Sequence, residues 1–303
     1  MIKVLRRRQI DTSRWNNAIA SSKQETIYPY TWYLDACADN WLGLVMNDYE
    51  CIMPVAYRKK MGLIYTYQPF HCQQLGVFSE HDVDPEIIRM FLHKLKEDFK
   101  TGDYAFNENN LLGEEPGYEV TDNTNYVLPL SDPHVAIYKN YTENCRRNLK
   151  RAERSEISIT EEVTIDEVIT LKKFIEKEKW KADRYDFALN LFKKMQEMEK
   201  VLVLGARSDD HLIAAVIFAF SKSRGHYLMS ASSEIGKEYR AMFLLVDTFV
   251  SMYAGTNIKL DFEGSNIASI ARFFRGFGAK PEIYQRVNFE VVATRLLKKI
   301  KRV

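Results

Sequence analysis

The sequence predicts a mixed α/β chain of the α+β kind, built as two tandem modules, each a mixed and mostly antiparallel sheet flanked by helices. Three observations lead there. The chain runs twice through one order of parts: strand, acidic turn, strand, basic turn, strand, helix, strand. Short identities keep that order, with Gly62 matching Gly225, Ser79-Glu80 matching Ser233-Glu234, and Met90-Phe91-Leu92 matching Met242-Phe243-Leu244. Finally, 303 residues, 46% of them hydrophobic and 28% charged, suit two ordinary domains better than one very large core.

In the first copy an apolar strand from Leu42 meets the turn at Asn47-Asp48, and a second strand runs through Pro54 to Tyr57. After the basic turn "RKKMG" come a third strand, a helix containing "MFLHKL" and the strand-like "DYAFNENN". In the second copy the same parts are "VLVLGA", the turn Ser208 to Asp210, "LIAAVIFAF", "SKSRG", "HYLMSASSE", a helix containing "MFLLVDTF", and "IKLDFEGSN". The stretch "YQPFHCQQLG" reads as an insertion in the first copy.

Two helical regions lie between the copies. In the first, Tyr141, Cys145, Leu149 and Ala152 recur at helical spacing while Arg146, Arg147, Lys150, Arg151 and Arg154 fill the outer face. A charge run on a helix is most often a solvated face, and the alternative is a polyanion contact through tRNA or anionic lipid. The same choice applies to the C-terminal "RLLKKIKR". The break "PLSDPH" puts the domain boundary between residues 133 and 134, giving domains 1–133 and 134–303.

With 43 basic and 41 acidic residues, the net charge of +2 does not by itself demand nucleic acid. Cys37, Cys51, Cys72 and Cys145 form no CxxC pair and lack histidine company, so neither a metal site nor a disulfide framework is expected, and a reducing cytoplasm fits. The apolar run Leu212 to Phe220 is about half a membrane span. The N-terminus lacks the basic-then-apolar pattern of a signal peptide, so no transmembrane or export segment is expected.

Near the end, "LDFEGSNIASIARFFRGFGAKPEIY" reads as strand, polar turn and packed helix. Ile267, Ile270, Ala271 and Phe274 form an apolar stripe, Ser265 or Asn266 can cap the start, and Gly276 or Gly278 can end it.

Taken with "ENCRRNLKRAERSEISITEE", "GTNIKLDFEGSN" and "IARFFRGFGAKPEIYQRV", this order of parts resembles the GNAT acetyltransferase superfamily, and the tandem pair resembles its FemABX and BioF2-like acyltransferases. The resemblance implies an enzyme of bacterial type that moves an acyl group from acyl-CoA to an amine by direct attack in a ternary complex, in the second domain. It equally admits an aminoacyl-tRNA-dependent transferase acting on a cell-wall precursor, and a degenerate binding module without turnover. The usual phosphate loop is absent from "EIGKEYRAMF", where Gly236 and Arg240-Ala241 stand instead.

On that correspondence Glu263, Asp261 and Tyr227 are the catalytic candidates. Alternating geometry puts Asp261 and Glu263 on one side of a strand, as base candidates or equally as a solvated pair or helix cap. Tyr227 can donate to a leaving group, or be an ordinary strand residue. Ser230 and Ser232 line the expected donor strand, and Arg240 with Ala241 opens the following helix, where guanidinium and free N–H groups suit phosphate. For the acceptor, the cluster Trp180, Arg184 and Tyr185 and the inserted loop's Phe70 are candidates, the structural alternatives being an anchoring tryptophan and an aromatic loop.

Overall fold

The computed structural model describes residues 1–60, 62–175, 182–264 and 266–290. Trp180, Ser265 and the C-terminal basic stretch lie outside them. Contacts divide the chain into two compact units, Thr124–Glu282 and, around it in sequence, Met1–Asn123 with the described chain from Ile283 on.

The first unit contains β1 (Ile2–Arg6), α1 (Thr12–Ser21), α2 (Thr31–Cys37), β2 (Trp41–Met46), β3 (Cys51–Lys60), β4 (Leu63–Thr66), β5 (Phe78–Ser79), α3 (Pro85–Asp98) and β6 (Thr101–Ala105). β7 (Glu119–Pro129) leads out of it. Local chemistry sets the helix starts: Asp11 accepts from the Arg14 N–H at 3.1 Å, and Asp84, followed by Pro85 at the first helical position, accepts from the Glu86 N–H at 2.8 Å. β1 to β4 form an antiparallel meander, and β6 lies parallel to β4 at Thr66 and Gly102.

The second unit continues with α4 (His134–Lys139), α5 (Glu143–Glu153), β8 (Ser158–Thr160), α6 (Ile165–Ile175), α7 (Ala182–Glu197), β9 (Val201–Ser208), β10 (His211–Phe220), β11 (Arg224–Ser232), α8 (Glu234–Glu238), α9 (Ala241–Tyr253), β12 (Lys259–Asp261) and α10 (Ala268–Gly276). β8 to β11 are antiparallel, whereas β12 joins β11 in parallel, as β6 joins β4. Because β10 is buried along nearly its whole length, both of its faces must be covered. On one face Ala214, Val216 and Phe218 pack with α9 residues Leu245, Val246 and Phe249, and α5 adds Cys145 and Leu149; α6 packs against β10 and β11 as well.

The repeated order read from the sequence is therefore the order of the fold. What the local pattern does not carry is an exchange of closing strands. β7, from the first half, pairs antiparallel with β12, and β13 (Lys280–Glu290), from the second half, pairs antiparallel with β6. Arg286 of β13 holds Asp103 of β6 in a bidentate ion pair.

Candidate functional site

The site begins where β11 and β12 separate. Their parallel pairing runs from Arg224 with Lys259 to His226 with Asp261 and goes no further, although β11 continues to Ser232. β12 stops because Asp261 turns the chain: its Oδ1 accepts the Glu263 N–H at 2.9 Å, while Glu263 and Gly264 both take left-handed backbone angles, φ 59° and 61°. A left-handed glutamate is uncommon and costs free energy, a pattern concentrated at functional sites. Glu263 therefore lies beyond the strand rather than on it, and it meets Asp261 by a turn instead of by alternation.

Five side chains converge there, and three of them, Asn125, Arg224 and His226, were not singled out from the sequence. Arg224 Nη1 bonds Asp261 Oδ2 at 2.8 Å, both side chains being almost wholly buried. The Asn125 amide donates to Asp261 Oδ1 at 2.9 Å. His226, with no exposed surface, places Nδ1 3.9 Å from Asp261 Oδ2 and 3.5 Å from Glu263 Oε1. Burial opposes ionisation of Asp261, but Arg224, His226, the Glu263 N–H and Asn125 together hold its carboxyl below the usual value. Glu263 stays partly exposed, at 16%, so it is the member of the group open to solvent. The detectable signal for His226 was a histidine inside a strand already assigned to the site.

The donor candidates share one face of β11 because of a bulge. Tyr227 opposes Phe218, and Met229 opposes Ile217, so Leu228 is an extra residue and Ser230 and Ser232 face Val216 and Ala214. Strict alternation would have put Tyr227 and Ser230 on opposite faces. Tyr227 packs against Phe218, Phe262 and Phe274, and its hydroxyl meets Met242 Sδ at 3.1 Å. Burial holds this phenol far above its ordinary pKa, with Ser230 pulling weakly the other way, so at neutral pH it is a proton donor. Ser232 lies against Gly236, where an added Cβ would stand 2.8 Å from Ser232 Oγ.

Arg240 does not open α9 as a helical residue. It is a left-handed N-cap, φ 61°, between α8 and α9, and its Nε is buried with no hydrogen-bond partner among the described residues. Ala241 follows as the fully buried first residue of α9. An anion at this junction would meet a guanidinium and helix N–H groups together, which suits the phosphates of an acyl-CoA.

Of the acceptor candidates, Arg184 and Tyr185 belong to the second unit and Phe70 to the first. Arg184 is exposed and Tyr185 buried in the first turn of α7, the Tyr185 ring lying 5.2 Å from Lys173 Nζ. Phe70 is exposed in the first unit, 4.2 Å from the His71 ring. In that unit the inserted loop closes the gap that stays open between β11 and β12: Gln68 Oε1 accepts the Ala105 N–H at 3.1 Å, and Leu75 bridges in parallel to Phe106.

The apolar stripe expected on α10 narrows in the structure. Ala271 and Phe274 are buried, Ile267 and Ile270 are exposed, and the N-cap is Ile267 without a side-chain bond. Asn266 instead accepts the Thr124 N–H at 3.3 Å.

Comparison with known proteins bears on the fold. The sequence profile described as "Acetyltransferase (GNAT) domain" matches residues 139–266. No curated protein matches the sequence. Among solved structures, FemX superposes with a TM-score of 0.67 over 98% of this chain and 99% of its own, at 9% identity. A tandem GNAT protein from the clavulanic acid biosynthesis pathway gives 0.59 over 95% and 98%, at 11% identity. L-PGS from Bacillus licheniformis gives 0.54 over 96% and 94%, at 12% identity. Residues 139–266 thus resemble a GNAT acetyltransferase domain, within a chain that shares its fold with FemX and with the tandem GNAT protein.

Proposed function

We propose that the chain is a cytoplasmic, bacterial-type N-acyltransferase that moves an acyl group from acyl-CoA to an amine, and that the sequence domain from His134 on carries the reaction. The observation that carries this reading is the end of the β11–β12 pairing at His226 and Asp261, with Glu263 left partly open beside it. Past His226, β11 keeps its pairing with β10 but not with β12, and a main-chain N–H on that second edge would serve a carbonyl oxygen that becomes negative as attack proceeds.

In this reading the amine nitrogen forms a bond to the carbonyl carbon and passes a proton to Glu263. His226 and the Arg224–Asp261 pair fix the local charge, and as the carbon–sulfur bond breaks the sulfur leaves as thiolate, accepting a hydrogen bond from the Tyr227 hydroxyl and taking its proton from solvent. Arg240 holds donor phosphate. Ser230 and Ser232 line the acyl end, and Trp180 and Arg184 stand as acceptor contacts. The test is thiol release from acetyl-CoA and longer acyl-CoAs with a set of primary amines, beside thermal shifts with each donor. Neither release nor shift with any acyl-CoA would sink this reading.

A second reading has one specific observation behind it. None of Arg146, Arg147, Lys150, Arg151 and Arg154 on α5 forms an ion pair with a carboxylate among the described residues, unlike Arg7, Arg14, Arg58, Arg89 and Arg207. An aminoacyl-tRNA donor, serving a cell-wall-precursor amine, would use such a face. Its affinity would fall steeply with salt as counterions are released, whereas acyl-CoA binding would change less.

A further inference from the structure

The edge of β11 from which β12 has withdrawn is reached by a lysine of α6. Lys172 Nζ donates to the Ser230 carbonyl at 3.2 Å, and Ser230 lies past His226, the last β11 residue that β12 pairs.

The direction of that carbonyl follows from the strand pairing. In an antiparallel pair, residues alternate between those that exchange both main-chain bonds with the partner and those that turn both away from it. The Ser233 N–H donates to the Ile213 carbonyl at 2.8 Å, and the register is unbroken from Ser232 opposite Ala214 back to Met229 opposite Ile217. Ser233, Ala231 and Met229 therefore turn toward β10, and Ser230, opposite Val216, turns away from it. Both its carbonyl and its N–H point to the open edge. Ahead of the bulge the Ser223 carbonyl accepts the Lys259 N–H at 2.9 Å, so there it is the odd-numbered residues that face β12. The extra residue at Leu228 reverses that parity and gives the open edge to Ser230.

Lys172 arrives from the far face of the sheet. Tyr227, Ser230 and Ser232 oppose Phe218, Val216 and Ala214, the β10 residues that pack with α9. α6 lies against β10 and β11 without joining that core, so it covers the other face. The open edge at Ser230 is thus flanked by Tyr227 from the α9 side and by the Lys172 ammonium from the α6 side. A fixed positive charge beside a main-chain N–H that points the same way suits an oxygen that becomes negative.

We propose that Lys172 takes part in the reaction, its ammonium and the Ser230 N–H together stabilising the oxyanion formed when the amine attacks. Attack moves the carbonyl π pair onto oxygen, and the pair returns to carbon as the carbon–sulfur bond breaks. Lys172 supplies charge and neither gives nor takes a proton. This role rests on the acyl-CoA reading above.

The test uses Lys172→Met and Lys172→Gln, the second of which keeps a donor for the Ser230 carbonyl while removing the charge. With an acyl-CoA and amine that the unaltered chain turns over, kcat should fall by about 10²-fold in both variants while KM for the donor stays within about 3-fold. Binding is read by calorimetry with S-carboxymethyl-CoA, whose carboxylate puts negative charge beside the position of the thioester carbonyl, and with the neutral S-carbamoylmethyl-CoA. The unaltered chain should bind the anion at least about 10-fold more tightly, and the variants should lose that preference. A lysine that only pinned α6 to the sheet would leave the preference in place or weaken both analogues alike, and either result overturns the role of Lys172 while the acyl-CoA reading stands. Should neither variant fold, the unaltered chain decides, a preference for the anion supporting the role and equal binding overturning it. No binding of either analogue to the unaltered chain sinks the reading and the role together.

Discussion

His226 Nδ1 lies 3.5 Å from Oε1 of Glu263, one histidine wholly buried and one carboxylate partly open, at the last pair of residues before β11 and β12 part. The open member is the one an incoming amine can reach. Glu263→Gln keeps the size and the turn but removes the base, so acyl transfer should fall by about 10²–10⁴-fold. The melting midpoint should move far less than the rate, since the amide keeps the size of the side chain and an oxygen facing His226. Steady-state rates measured beside melting curves check both, and unchanged turnover removes Glu263 from the mechanism.

Asp261 answers to a different prediction, because its partners are buried with it. Asp261→Ala leaves the Arg224 guanidinium without its 2.8 Å partner inside the second unit, at a cost of about 3–5 kcal/mol. The native pKa of Asp261 is lowered, so its contribution is present above the unfolded value of about 4 and is lost as pH falls through the lower native value. Urea midpoints taken from neutral pH down to about pH 3 should drop more steeply for the unaltered chain than for Asp261→Asn.

Gly264 tests the turn itself. Its φ is 61°, and a Cβ there would stand 2.2 Å from the Thr124 carbonyl oxygen and 2.8 Å from Asn125 Cα, both rigid backbone. Gly264→Ala should cost about 1–3 kcal/mol and, by displacing Glu263, lower activity more than stability. Equal rates in a folded Gly264→Ala chain would mean that the turn does not set the base.

The four cysteines are buried and none is in a disulfide, and the thiol of Cys145 is pushed up to about 12 by burial and by Asp247, with Arg146 opposing. Thiolate is the reactive form. A disulfide exchange reagent should therefore titrate fewer than about one thiol per folded chain at neutral pH and every thiol after guanidinium unfolding. Rapid reaction of Cys145 in the folded state would contradict the burial.

Much of the fold was legible because its signals are local. The doubled order of strands, turns and helix follows from apolar periodicity, and the strand that carries Tyr227, Ser230 and Ser232 was read from the same signal. Arg224 and His226 were missed because nothing in "RGHYLMS" says which residues will oppose them. Ile267 and Ile270 were misjudged as core because periodicity gives a helix its apolar face but not the width that its neighbours cover.

The sequence by itself determined which segments become strands and helices and in what order, since side-chain alternation and helix caps act over a few neighbouring residues. The tertiary structure alone decided that β7 and β13 exchange places, that the bulge at Leu228 brings Ser230 onto the face of Tyr227, and that Arg224, His226, Asp261 and Glu263 meet. The physical reason is that register is fixed by pairing between strands far apart in the chain, and a shift of one residue reverses which side chains share a face.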